Sequence, residues 1–399
     1  METSFRKESA RLVSLLVRAF GPSRLSLAED VVQETFLRAV QLWPKKGTPE
    51  NPTAWLTRVA RNLAIDHLRR EGIYLSDGQE ILEQIPEAPA DPSAMGDPEL
   101  EMLFLCCHPS LPAEAQVALT LRELCGLSSR EIAKALLVNE DALSQRLVRA
   151  KRALADVEWS ASPEELAPRL DAVHNVLYLL FNEGYAAHTD PALTRSDLCD
   201  EAIILTDRLS RTRIGDVPAT HALLALMLLH SSRLAARLSP EGALELLEEQ
   251  DRSLWDQRRL AAGLQALDRS AQGQDLTRFH LEAGIAAEHA LAPTFGQTNW
   301  RSVLSQFDDL ARLHPSVVVL LNRAIAVSMV HGDERALAEL EAIEASGRLD
   351  GYYLLPATKA KFLSSLGRHE DAREAYKRAL DLAKNPAERA FLEGKLAMS

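Results

Sequence analysis

The sequence predicts an all-α protein: two small helical modules at the N-terminal end, then a long helical extension. Three observations lead there. Apolar residues recur three and four positions apart along nearly the whole chain, and the period-two alternation of strands is absent. Helix-start signals are frequent. One acidic, proline-containing stretch, residues 74–98, breaks the periodicity and separates the first two modules.

In the first module, residues 1–73, Ser26-Leu-Ala-Glu29 reads as a capping box that starts one helix. Asn51-Pro52 starts another, with a cap residue ahead of a proline at the first helical position. Along that second helix the spacing puts Trp55, Val59 and Leu63 in an inner stripe. Arg58, Asn62, Asp66 and Arg69 fall on the other side, with Arg61 and Arg70 beside them. Bases and amides so spaced suit a nucleic-acid backbone and unpaired bases. Trp55 is read as core, with base stacking as the alternative.

Residues 74–98 hold Pro86, Pro89, Pro92 and Pro98, six acids and no base, and read as an extended linker. The second module, residues 99–157, has the pattern of a helix-turn-helix. Ser128-Ser-Arg-Glu131 is a second capping box, bracketed by Leu127 and Ile132 as a hydrophobic staple. Asn139 caps the following helix, whose Leu143, Leu147, Ala150 and Leu154 make a buried stripe. Ser144, Gln145, Val148, Arg149 and Arg152 lie opposite. A major groove requires such a helix, with Gln and Arg facing base edges and phosphates. Spacing alone admits a solvated surface helix equally well.

Helices resume near Pro163 and run to the end of the sequence, residues 158–399. Phe181-Asn-Glu-Gly-Tyr185 reads as a helix end, with Gly184 at the left-handed cap position. Asn182, Glu183 and Tyr185 there are candidates for an interdomain or regulatory contact, with internal packing preferred over a ligand. His174, His188, His221 and His230 are scattered on helices, and no metal spacing joins them. From about residue 300 a weak repeat emerges. Ala324, Ala336, Leu340 and Ile343 recur 36 residues later as Ala360, Ala372, Tyr376 and Ala379, with Gly332 and Gly367 at the turns. This resembles tetratricopeptide repeats.

Bulk properties bound the function. A chain of 399 residues calls for two or three domains, and 46% apolar residues can fill their cores. The net charge of −12 argues against a general nucleic-acid binder, yet residues 1–73 carry 12 bases against 8 acids. DNA binding would therefore come from defined helices, aided by a partner that carries most of the DNA affinity. Cys106, Cys107, Cys125 and Cys199 lack paired zinc-ligand spacing and read as buried thiols. The longest apolar run, Ala222 to Leu229, is too short for a membrane span, and no signal peptide is visible. A cytoplasmic protein without cofactor or metal is expected.

Residues 1–157 resemble the extracytoplasmic-function sigma factors, in which two sigma domains are joined by a linker. The resemblance rests on Ala28-Glu-Asp-Val-Val-Gln-Glu-Thr-Phe-Leu-Arg-Ala39, on Asn51 to Arg70 and on Leu111 to Leu154. It implies that Asp30, Gln33, Glu34 and Leu37 meet the polymerase. It implies that Arg58, Arg61, Asn62, Asp66, Arg69 and Arg70 serve the minus-ten element. It puts Ser144, Gln145, Arg146, Arg149 and Arg152 at the minus-thirty-five element. The turn departs from the family's Leu-Gly-Val, reading Leu136-Leu137-Val138. Leu105-Cys-Cys-His-Pro109, Tyr178 to Tyr185 and Glu249 to Asp256 resemble the subgroup with a long tetratricopeptide-like extension. The implied partners are core RNA polymerase, at its beta-prime clamp and beta flap, and promoter DNA. A regulatory protein or ligand is a further candidate, at the extension. The rival function is a helix-turn-helix regulator with a ligand-sensing helical domain, which has no use for the segment Ala28 to Ala39. No nucleophile elbow, P-loop or metal signature supports an enzyme built on Cys106, His108 or Glu183.

Overall fold

The computed structural model describes residues 2–70, 97–136, 138–157, 162–185, 195–239 and 244–398. Among them, α-helices dominate and the one pairing of extended backbone is an isolated bridge between Leu238 and Leu244. The chain forms two compact units, Met1–Leu180 with Ile204–Asp216, and Phe181–Ile203 with Val217–Ser399.

The first unit begins with helices α1 (Glu2–Phe20), α2 (Leu25–Lys46) and α3 (Pro52–Arg70). Their apolar stripes meet in one core, with Leu12 and Leu16 from α1, Leu25, Val31 and Val32 from α2, and Leu56, Ala60 and Leu63 from α3. Asn51 accepts from the Ala54 amide at 3.0 Å and so caps α3 as its sequence foretells. The box at Ser26 does not form. A short 3-10 turn, Pro22–Arg24, runs straight into α2, so Arg24 takes the cap position and Ser26 lies inside the helix. The inner face of α3 is also turned from its expected line. Leu56, Thr57, Ala60, Leu63, Ala64 and Leu68 are buried, whereas Trp55 and Val59 are half-buried. Trp55 meets Trp43 edge-on at 5.6 Å, and Trp43 in turn lies 6.4 Å from Phe5.

Four helices follow: α4 (Pro98–Cys106), α5 (Ala113–Glu123), α6 (Ser129–Ala135) and α7 (Glu140–Ala155). Of the expected linker, Asp97 and Pro98 fall within the described residues. Asp97 caps α4 through the amides of Glu99 and Leu100, and it is bound, with Glu99, by Arg208. Leu100 to Cys106 are buried without interruption, because α4 is packed between α1 and α5. The Ser128 box forms completely, with Leu127 and Ile132 fully buried. Asn139 caps α7 through the amides of Asp141 and Ala142 at 2.8 and 3.3 Å. Leu143, Leu147, Ala150 and Leu154 are buried as one stripe. In the turn before α7, Leu137 lies outside the described residues, and the Val138 amide donates to the Ala133 carbonyl at 2.9 Å. The unit closes with α8 (Pro163–Leu166), the start of α9 (Leu170–Tyr185) and the end of α10 (Ser196–Ser210).

In the second unit each helix packs on its successor from α11 (Pro218–Ser231) through α12 (Gln257–Ser270), α13 (Arg278–Leu291) and α14 (Trp300–Leu313). The run goes on through α15 (Val317–His331), α16 (Asp333–Ala345), α17 (Leu354–Ser365), α18 (His369–Leu382) and α19 (Pro386–Met398). Helix α11 is apolar all round and buried. Gly332 and Gly367 take positive φ at the turns between α15 and α16 and between α17 and α18. Gly184 is not a left-handed cap. It sits inside α9 at ordinary helical φ, where an added Cβ would lie 2.7 Å from the Cys199 amide and 2.8 Å from the Arg195 carbonyl. Close helix approach, not chain reversal, requires glycine there.

Candidate functional site

Three helix faces of the first unit carry the residues singled out by sequence. On α2, Asp30, Gln33 and Leu37 are exposed at spacings of three and four, and so share one face. Leu37 is 56% and Val40 62% exposed, which extends that face as an apolar strip open to water. Glu34 stands at its edge, bonded to Arg38 at 2.7 Å and 3.5 Å from His67. The hydrogen bond from Arg38 holds its carboxyl below the usual range.

On α3, Arg58, Asn62, Asp66, Arg69 and Arg70 are exposed and Arg61 is half-buried. On α7, Gln145, Arg149 and Arg152 are exposed, and Ser144 and Arg146 are half-buried. None of these arginines pairs with a carboxylate among the described residues, and Arg149 spends its Nε on the Gln145 carbonyl at 3.3 Å. Unpaired guanidinium groups in an acidic chain leave local positive faces for phosphates and base edges.

The first two modules are joined by a charged seam that nothing local in the sequence announces. Lys151 of α7 reaches Glu29 of α2 at 2.5 Å and Glu123 of α5 at 3.3 Å. Arg122 stands 3.8 Å from Glu29, Arg6 bonds Glu131 at 2.9 Å, and Arg18 lies 3.6 Å from Glu101. Burial pushes the carboxyl of Glu101 up to about 7, against the pull of Arg18. Burial, then the neighbouring Glu29 charge, likewise raises Glu123 against the pull of Lys151. A cleft of about 150 Å³ lined by Ser9, Glu29, Gln33 and Arg122 runs along this seam. Lys151 is thus held by acids while its helix neighbours Arg149 and Arg152 face solvent.

The other candidates separate from these faces. Cys106, Cys107, Cys125 and Cys199 are free and buried, and burial raises the thiols of Cys106 and Cys107, which keeps them protonated. His108 bonds Ser110 at 2.8 Å. His174 is buried, with its pKa pushed down to about 4, and His188 lies outside the described residues. In the second unit, Asn182 and Glu183 are half-buried, and burial lifts the carboxyl of Glu183 to about 7. Tyr185 stacks on Phe181 at 5.7 Å, and its hydroxyl accepts from Arg233 at 2.6 Å.

Comparison with known proteins decides what these faces belong to. Residues 5–73 match a model of Sigma-70 region 2, and residues 101–154 match Sigma-70, region 4. The ECF RNA polymerase sigma factor SigF of Caulobacter vibrioides is 33% identical, covering 86% of that protein and 39% of this chain. The chain belongs to the ECF RNA polymerase sigma factors. Region 2 of the sigma factor therefore contains α1 to α3, and region 4 contains α4 to α7. The ECF RNA polymerase sigma factor SigE of Mycolicibacterium smegmatis is 34% identical, and the sigma factor spans 58% of that relative. An uncharacterized protein of Rhizobium meliloti (strain 1021) is similar along almost the full course, 40% identical over 96% of the sigma factor and 94% of the relative. That relative shares the extension, of which residues 169–271 match a family of unknown function (DUF6596). Among the described residues no helix of the sigma factor is long and apolar enough to cross a membrane.

Proposed function

We propose that this sigma factor directs core RNA polymerase to promoters, with its own helical extension as the controlling element. The exposed face of α2 carries the reading. An apolar strip at Leu37 and Val40, edged by Asp30, Gln33 and Glu34, is costly in water and fits a helix-docking partner such as the polymerase clamp. The α3 face, with Arg58, Arg61, Asn62, Asp66, Arg69 and Arg70, would hold the opened minus-ten strand. The α7 face, with Ser144, Gln145, Arg146, Arg149 and Arg152, would read the minus-thirty-five element in the major groove. A helix-turn-helix repressor would not need the α2 face.

The seam makes the described arrangement a closed, waiting state. A compact body of about 190 residues has a radius of gyration of about 16 Å. Promoter elements about 25 base pairs apart are separated by about 85 Å along the duplex. One compact unit cannot hold both, so regions 2 and 4 must part when promoter and polymerase are engaged. The extension, with its tetratricopeptide-like helix pairs, is the candidate for setting that balance. The Rhizobium relative, similar over nearly the same length, supports its belonging with the sigma regions.

Reconstituted transcription tests the function. Purified core polymerase plus the full chain is expected to give start sites that core enzyme alone does not. Failure of the two to co-migrate on a sizing column would remove the reading. Equal run-off yields from the full chain and from one ended near residue 216 would remove control by the extension while leaving the sigma function in place.

A further inference from the structure

The second unit gathers three arginines around two aromatic rings. Arg233 and Arg237 follow the end of α11, and Arg252 stands in the short turn before Trp255. The guanidinium carbon of Arg252 lies 4.5 Å from the centre of the Trp255 ring, and that of Arg233 lies 5.9 Å from the same centre. Arg237 sits 4.0 Å over the ring of Tyr185. Arg233 also donates to the Tyr185 hydroxyl at 2.6 Å and approaches Nδ1 of His230 at 3.4 Å. Tyr185 and His230 meet edge-on at 5.2 Å.

No carboxylate among the described residues pairs with any of the three. Several other arginines of the unit do find acids: Arg259 with Asp200 at 2.7 Å, Arg323 with Asp308 and Glu339 at 2.6 Å, Arg378 with Glu344 at 2.6 Å. What sets these three apart is that they crowd round the same rings with no carboxylate partner among the described residues. Helix capping accounts for part of it. Arg252 donates through Nη1 to the carbonyls of His289 and Ala292 at 2.7 Å, and Arg237 donates to the Tyr185 carbonyl. Each guanidinium has five N–H donors, so most remain for another partner. Among the described residues, two buried donors meet no acceptor, Nη2 of Arg252 and Nε1 of Trp255, a residue only 3% exposed. Buried donors without an acceptor are uncommon and call for an explanation. The nearby imidazoles add no charge, since burial, then the arginines, hold His230 down to about 3 and His289 to about 4.

We propose that Arg233, Arg252 and Trp255, backed by Arg237 and Tyr185, form a binding site for a small oxyanion, a carboxylate or phosphate group presented by a small molecule. Guanidinium edges give paired donors to two oxygens of such a group, the indole N–H adds a third, and the aromatic faces hold the guanidinium planes in place. The binding itself does not rest on the sigma reading; coupled to it, the site would give the extension a chemical input.

Intrinsic tryptophan fluorescence of the full chain, with Trp255 as reporter, tests this. Sodium phosphate and sodium benzoate are titrated separately, with chloride holding ionic strength constant. The expected result is a saturable change with at least one of them at about 1 mM or below; which anion responds separates a phosphate from a carboxylate ligand. Arg233→Gln and Arg252→Gln should each weaken it at least tenfold, whereas Arg335→Gln, at an exposed site elsewhere in the unit, should leave it unchanged. Thermal unfolding of the unaltered chain gives a second reading, since a ligand that binds the folded state raises the midpoint. No saturable signal and no midpoint shift with either anion overturns the site. So does equal binding by all the arginine variants.

Discussion

Helices α2 and α7 each turn one face inward and another outward, and the two faces are built on opposite terms. Inward, Glu29 and Lys151 are bonded to one another across the seam, beside a Glu123 side chain only 2% exposed. Outward, Asp30, Gln33 and Leu37 on α2 and Gln145, Arg149 and Arg152 on α7 are exposed. Charge on the inner faces is already paired and desolvated, so it sets the relation of region 2 to region 4. Charge on the outer faces is unspent and available to a partner. Substitutions should therefore divide cleanly. Inner changes should move stability and closure, and binding only through closure, whereas outer changes should move binding alone.

The largest effect is expected at Lys151. Lys151→Ala leaves Glu123 buried beside Glu29 without its closest cation, and removing one partner of a buried pair costs about 3 kcal/mol. The first thermal transition should fall, and the distance between labels on α2 and α7 should grow. Adding Glu123→Gln to the same chain should restore much of the loss, because the most deeply buried carboxylate is then neutral and Glu29 keeps Arg122 nearby. An unchanged melting curve in Lys151→Ala would dissolve the contrast between the faces.

Leu37→Asp probes the outer side of α2. Leu37 is 56% exposed, so the fold should not notice the change. A docked partner would lose about 2 kcal/mol of apolar burial, some thirtyfold in affinity for core polymerase. Core affinity that stays at the unaltered value would move the docking face elsewhere. Arg149→Ala does the same for α7, with a smaller cost of about 1.5 kcal/mol on a promoter carrying the minus-thirty-five element. Equal weakening on promoters that lack the element would mean a phosphate contact and no base reading.

The outer faces were legible in the sequence and the inner seam was not, for a physical reason. Helical spacing fixes which side chains share a face, and the caps at Asn51, Ser128 and Asn139 fix where helices begin. These are interactions over two to four residues. The seam joins positions 122 and 125 residues apart, Lys151 with Glu29 and Arg6 with Glu131, and no local pattern encodes such pairs. The Ser26 box shows the converse error. Ser26 and Glu29 have the right spacing, yet Glu29 is drawn to Lys151 while a 3-10 turn supplies the helix start. Spacing puts Trp55 on the inner line of α3 because Trp55 outweighs alanine on any apolar scale, whereas close packing in this bundle favours Ala60 and Ala64. Glycine is common at the left-handed cap of a helix end, and the close approach of Cys199 and Arg195 that explains Gly184 lies 11 to 15 residues onward.

The smallest expected effect sharpens the contrast through pH. Glu101 lies on the seam, 3.6 Å from Arg18, and burial holds its folded pKa at about 7, above the ordinary 4.5. Between those values the folded chain binds more protons than the unfolded chain, so stability must fall as pH rises. The contribution is complete below about 4.5 and gone above about 7. The pull of Arg18 is already contained in that value, so what remains is the part of the burial it does not offset. Glu101→Gln stays neutral throughout, so its unfolding midpoint should drop less than that of the unaltered chain between pH 5 and 8. At any one pH its core affinity should change only as far as closure does, since no contact to the partner is lost. Parallel pH profiles for the two proteins would show that the seam carries no titratable strain and that its closure depends on Lys151 and its acids alone.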